Sequence, residues 1–211
     1  MVSTYSGDGL QDMRPDSSHK ERKIILASAS PRRREILALT GLKFRVDPGD
    51  YEEKMDHPMD PHRLARFLSR KKAETVAPKY GDAVIIAADT FLLFEGGLLG
   101  KPGDETDARN TLGRLNGRCH SVITGFTILD TANKRELSDS VETRVYFRKL
   151  TPAEISSYVR SGEPFDKAGS YGIQGLGALL VERIEGDYFN VMGLPIGRLV
   201  QDLKKFGIRV L

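Results

Sequence analysis

The chain has one cysteine, Cys119, in 211 residues. That excludes an intrachain disulfide framework and a zinc site built from several cysteines. Cys119 is read as an inert or buried thiol. No run approaches the roughly 20 apolar residues that a membrane span needs, and the first residues lack the apolar core of a secretory signal. A cytoplasmic protein with no membrane partner is expected. An excess of one charge is missing too: 32 Lys and Arg stand against 29 Asp and Glu, a formal net charge of +3. This is too slight to indicate nucleic acid as a partner. There is no phosphate-loop spacing, no dinucleotide fingerprint, no internal repeat and no low-complexity tract. His120 has no second histidine at metal-ligand spacing, so it is read as structural.

What remains is an ordinary globular balance, 39% hydrophobic and 29% charged, enough for a real core in one domain or two small lobes. Residues 1–22 are polar and aperiodic and are expected to form a disordered extension. The fold proper then covers residues 23–211. "KIILAS" reads as a buried strand, followed by a helix over 31–40 that ends at Gly41. "KFRVD" is a second strand. Asp60 caps a helix that begins at Pro61 and runs to Val76. "AVIIAAD" is a buried strand ending at Asp89, and "FLLFEGGLLG" is a hairpin around Gly96-Gly97. A helix over 104–115, strands over 119–130 and 136–148, a capping-box helix at "TPAE", a strand "ALLVERI" and a helix from Pro195 to Phe206 follow. The alternation suggests a mixed sheet, α/β or α+β.

The stretch "ILASASPRRREIL" combines a helix start with three arginines, although the helix dipole disfavours cations there. Ser30 can cap the helix, Pro31 suits its first turn, and the free N–H groups suit a phosphate. Arg32 and Arg33 are then candidate phosphate clamps. Arg34 is expected to face water, because successive helical residues point about 100° apart. A solvated basic turn is the plainer alternative. Asp89, followed by Thr90, is placed to bind a metal or to take a proton from water, or simply to start a turn. Glu52 and Glu53 with Asp89 offer the oxygen ligands that magnesium prefers, though Glu-Glu is more often a surface pair. Lys72 and Lys101 are further candidate cations, Lys101 held by Pro102. In "DKAGSYGIQGLG" the glycines permit tight turns. Gln174 there can pair with the imide edge of uracil or thymine, and Lys167 can add a charge.

Taken in order, "LASASPRR", "AADT", "GKP" and "DKAGSYGIQG…NVMGLP" resemble the Maf family of nucleoside triphosphate pyrophosphatases, over about residues 23–207. The resemblance implies an α/β fold: a mixed twisted sheet with flanking helices, in two lobes around a deep cleft, similar to the inosine triphosphate pyrophosphatases. It implies cleavage of a nucleoside triphosphate to the monophosphate and pyrophosphate, with a divalent cation such as Mg²⁺ or Mn²⁺. It further implies a homodimer and a role in cleaning nucleotide pools or arresting division. By position, Asp89 matches the family's proton acceptor, and Ser28, Arg32, Arg33, Glu52, Glu53, Lys72 and Lys101 match its polar cleft residues. Ser30 is grouped with the phosphate-binding residues. Arg32, Thr90 and Gln174 match the positions that mark the dTTP/UTP subgroup, with CTP or modified pyrimidine nucleotides as further substrates. The alternatives are 7-methyl-GTP hydrolysis and a non-catalytic nucleotide-binding regulator of septum formation. Asn116 and Phe91 depart from the family's usual residues.

Overall fold

The structure is a computed structural model, and it describes residues 22–51 and 59–211. Ile24–Ala27 forms β1 with all four residues buried, as an unbroken apolar run should be in a sheet covered on both faces. Ser30 then caps α1 (Pro31–Ala38), its side chain accepting the N–H of Arg33. β2 (Phe44–Val46) follows. α2 (Pro61–Val76) is capped by Asp60 with Pro61 at its first position. β3 (Val84–Phe94), β4 (Gly97–Leu99), α3 (Glu105–Leu115), β5 (Cys119–Asp130) and β6 (Arg135–Phe147) come next. α4 (Pro152–Arg160) opens with the full capping box between Thr151 and Glu154. β7 (Val181–Glu185), α5 (Tyr188–Met192) and α6 (Ile196–Leu203) complete the chain.

The seven strands form one mixed sheet in the order β2-β1-β3-β5-β6-β7, with β4 beside β3. β1 pairs in parallel with β2 and β3, and the other pairs are antiparallel. This is the expected mixed α/β class. Strand alternation decides what each face carries. On one face Val84, Ile86 and Ala88 pack with Ile36 and Leu37 of α1 and Leu199 and Leu203 of α6. Farther along that face, Leu92 and Phe94 pack with Leu112 and Leu115 of α3 and Ile155 and Val159 of α4. Two helical layers thus cover the two ends of one face, and the cleft opens between them. On the opposite face Ile85, Ala87 and Phe91 lie under α2.

Three expectations need correction. β3 does not end at Asp89: it continues to Phe94 because β5 pairs with it from Val84 to Leu93. The hairpin turn is Glu95-Gly96, both at positive φ (52° and 78°), with Phe94 paired to Gly97. A two-residue turn of that handedness matches the strand twist. In "ALLVERI" the first three residues belong to 3₁₀ turns and the strand starts at Val181. The short helix α5 was not anticipated. It stands on Asp187, whose carboxylate accepts the N–H groups of Phe189 and Asn190.

The expected extension of residues 1–22 lies outside the described residues, apart from Arg22. The Arg22 guanidinium donates two 2.7 Å bonds to the buried carboxylate of Asp130. Arg22, then Asn133, holds the Asp130 carboxyl well below its ordinary value of 3.8. A depressed carboxylate contributes stability above its unfolded value, and that contribution is lost as the pH falls towards the folded one. Arg22→Ala should therefore cost about 2 kcal/mol at pH 7, and the gap to wild type should narrow below pH ~4. Urea melts of both proteins at pH 7 and pH 3 check this. An unchanged gap would refute it.

Candidate active site

The cleft begins where the sheet is interrupted. β1 covers the edge of β3 as far as Ala87, and β4 covers it again from Leu92. Between them, residues 88–91 of β3 have no described strand on that side. Asp89 and Thr90 lie in this notch and project to opposite faces. The carboxylate thus sits beside the end of a strand, but the strand that ends is β1, not its own.

On the α2 face, Lys72 Nζ donates to Asp89 Oδ1 at 2.5 Å. Both side chains are largely withdrawn from water, with 12% and 4% exposure. On the other face, Thr90 meets α1 and the turn after α5. Arg33 donates from Nε to the Gly193 carbonyl at 2.8 Å, and from its two terminal nitrogens to Ser28 Oγ at 3.3 Å and Thr90 Oγ1 at 3.0 Å. Ser28 is buried and also accepts the N–H of Ser30. Arg32 diverges and pairs with Asp166 at 3.4 Å across the cleft mouth. Arg34 is exposed. The three arginines separate as the helical rotation requires. Arg33 is braced by three protein acceptors, whereas Arg32 reaches the opening.

The glycine-rich run forms the far wall as short 3₁₀ turns. Gly169 and Gly175 sit at positive φ (69° and 63°), a backbone that favours glycine. Glu163 folds the run from behind: its carboxylate accepts the N–H groups of Leu176 and Gly177. Gln174 is thereby displayed, exposed, at the rim. Lys167 does not point freely into the cleft; it donates to the Glu163 carbonyl and to Asp166. Burial raises Asp166, but Lys167 and then Arg32 outweigh it, and its carboxyl stays below its ordinary value. The loop of Lys101 is tied to the same wall, since Gly169 N–H donates to the Gly100 carbonyl.

Ser28, Ser30, Arg32, Arg33, Lys72, Asp89, Thr90, Lys101 and Gln174 all line one cleft of about 760 Å³. Glu52 and Glu53, the other expected cation ligands, lie outside the described residues. The donor type fits a hard cation, since Asp89 offers carboxylate oxygen. No group of three or more His, Cys, Asp or Glu suited to a metal occurs among the described residues. Glu163, Asp166 and Tyr171 also line the cleft and were not singled out from sequence, because no local pattern marks them. His120 is buried behind Tyr171, at 2.6 Å from its hydroxyl. Burial lowers its pKa to about 4, so it stays neutral at pH 7. Cys119 is only partly buried. No helix among the described residues is long and apolar enough to cross a membrane.

Residues 23–206 match the family model described as "Maf-like protein". A dTTP/UTP pyrophosphatase of Carboxydothermus hydrogenoformans is 51% identical over 185 residues, 88% of this chain and 99% of that protein. A dTTP/UTP pyrophosphatase of Methanosarcina mazei is 47% identical over 190 residues, 90% of this chain and 96% of that protein. Among solved structures, the Staphylococcus aureus Ham1 protein superposes with a TM-score of 0.43 at 14% identity, over 60% of this chain and 72% of that one.

Proposed function

The chain belongs to the Maf-like family, and from that premise we propose that it hydrolyses dTTP and UTP to the nucleoside monophosphate and pyrophosphate. The observation that carries this reading is the pairing of Asp89 with Lys72 in a notch of the sheet, inside a cleft walled by arginine and lysine. Asp89 is the group that accepts a proton from the attacking water. Lys72 fixes the carboxylate's orientation. Arg32 and Lys101 offer charge to the triphosphate as pyrophosphate leaves, and Arg33 adds charge from a fixed position. Ser28 and Ser30 complete the phosphate side at the start of α1. Gln174 reads the pyrimidine edge, with Arg32 and Thr90 shaping the choice of base. A divalent cation, Mg²⁺ or Mn²⁺, held by Asp89 with Glu52 and Glu53, would supply charge neutralisation of the triphosphate. The family resemblance also supports a homodimer and a cytoplasmic setting.

Pyrophosphate release over dTTP, UTP, CTP and 7-methyl-GTP, each with and without a chelator, tests this. Release from dTTP and UTP, lost on chelation, is expected. Preference for 7-methyl-GTP, or no release at all, would favour the alternatives drawn from sequence. Substituting Gln174 by Glu replaces an amide that both donates and accepts with an acceptor alone. It should lower kcat/KM for dTTP and UTP by roughly 10- to 100-fold, and more than for a purine control. Equal losses on all nucleotides would remove base reading from Gln174.

A further inference from the structure

Two residues of β5 that do not line the cleft stand directly behind the two that matter most. The register sets Gly125 opposite Asp89 and Thr124 opposite Thr90. We propose that Gly125 and Thr124 are positioning residues for the reaction, one on each face of the sheet: Gly125 fixes how closely α2 brings Lys72 to Asp89, and Thr124 fixes the direction of the Thr90 hydroxyl. This rests on the pyrophosphatase reading above.

Gly125 is a matter of space. A Cβ there would lie 2.2 Å from both the carbonyl carbon and the oxygen of Ala65, and 2.7 Å from Arg66 N. These are backbone atoms of α2 and cannot swing aside. Carbon atoms pack at about 3.5 Å or more, so α2 would retreat by about 1 Å. Lys72 follows Ala65 by seven residues, about two turns on the same helical face. Ser69, between them, is fastened to Thr127 of β5 at 2.9 Å. The helix is thus held against β5 over the stretch that delivers Lys72, whose Nζ donates to Asp89 Oδ1.

Thr124 is a matter of direction. It is fully buried, and its hydroxyl donates to the Asn190 carbonyl at 2.9 Å. Its proton being committed there, it accepts from Thr90 Oγ1 at 2.9 Å. Thr90 in turn accepts from Arg33 at 3.0 Å. The bonds run one way, from Arg33 through Thr90 and Thr124 to Asn190. The Asn190 amide is itself anchored on the Val122 carbonyl and Thr143 Oγ1. Without the Thr124 hydroxyl, Thr90 is left to turn towards the Gly193 carbonyl, now at 3.5 Å.

Turnover of dTTP and of a purine triphosphate by the full-length protein tests both parts. Gly125→Ala should cut kcat roughly 100-fold with little change in KM, as expected of a 1 Å misplacement. On a Lys72→Ala background the same change should cost less than about threefold more, since its effect runs through Lys72. Gly113→Ala, with open space at its Cβ, should leave turnover unchanged. Thr124→Val should change the dTTP-to-purine ratio of kcat/KM by roughly tenfold, and Thr124→Ser should restore it within about threefold. Full activity of Gly125→Ala, or an equal loss with and without Lys72, overturns the Gly125 part. A Gly125→Ala protein that does not fold makes the glycine a requirement of folding and overturns the Gly125 part, and equal behaviour of Val and Ser overturns the Thr124 part. Wild-type protein that releases no pyrophosphate from any nucleotide instead overturns the pyrophosphatase reading, and this inference with it.

Discussion

Asp89→Asn should cut kcat at least roughly 100-fold, the low end of what a general base contributes, while the protein still folds. The amide is nearly the same size as the carboxylate and still offers Lys72 an oxygen. What it lacks is a site that takes a proton from water. Asp89 is only 3% exposed, and the other described carboxylates that line the cleft are engaged elsewhere. The carboxylates of Glu163 and Asp166 stand on the far wall, where Glu163 is committed to the backbone of Leu176 and Gly177 and Asp166 to Lys167 and Arg32. Pyrophosphate release with dTTP, beside a circular-dichroism melt, checks the prediction. Near-wild-type turnover by a folded variant would remove Asp89 from its role.

Arg33→Lys should be almost as damaging, and for a different reason. A lysine keeps the charge but has one nitrogen where Arg33 uses three. It cannot reach the Gly193 carbonyl, Ser28 and Thr90 together. The turn after α5, the end of β1 and the notch would lose their common brace. A fall in kcat/KM of roughly 100-fold and a loss of about 2 kcal/mol in stability are expected together. Arg34→Ala, on the exposed side of the same helix, should change neither. Steady-state kinetics and urea melts of the two variants separate the cases. If Arg33→Lys lost activity with no loss of stability, Arg33 would be a phosphate clamp alone, with no bracing duty.

What the sequence discloses is mostly what is settled locally. Asp60-Pro61 and Thr151–Glu154 announce their helices because a cap and its partner lie within one turn. The buried runs of β1 and β3 are legible as apolar, and the order of elements gives the mixed sheet. The end of β3 is not legible because an aspartate after six apolar residues looks like a boundary. Only the pairing with β5, some 35 residues away, shows that the strand carries on. The notch is invisible for the same reason: it depends on where β1 and β4 stop relative to β3. Spacing alone shows that three consecutive arginines must diverge. It does not show which of them is braced, since Gly193 is 160 residues from Arg33. Glu163 was missed because its partners are backbone N–H groups in a loop more than ten residues on, and such bonds leave no side-chain pattern.

The notch has one more consequence. An uncovered strand edge invites another chain to add to it and begin an aggregate. Here the edge of β3 that no described strand pairs covers only residues 88–91, because β1 guards one end and β4 the other. That is shorter than the commonest strand, about five to six residues, and it lines the cleft. Asp89 and Thr90 on that stretch face a cleft with room for a small molecule, while a foreign strand would find only a short edge between β1 and β4.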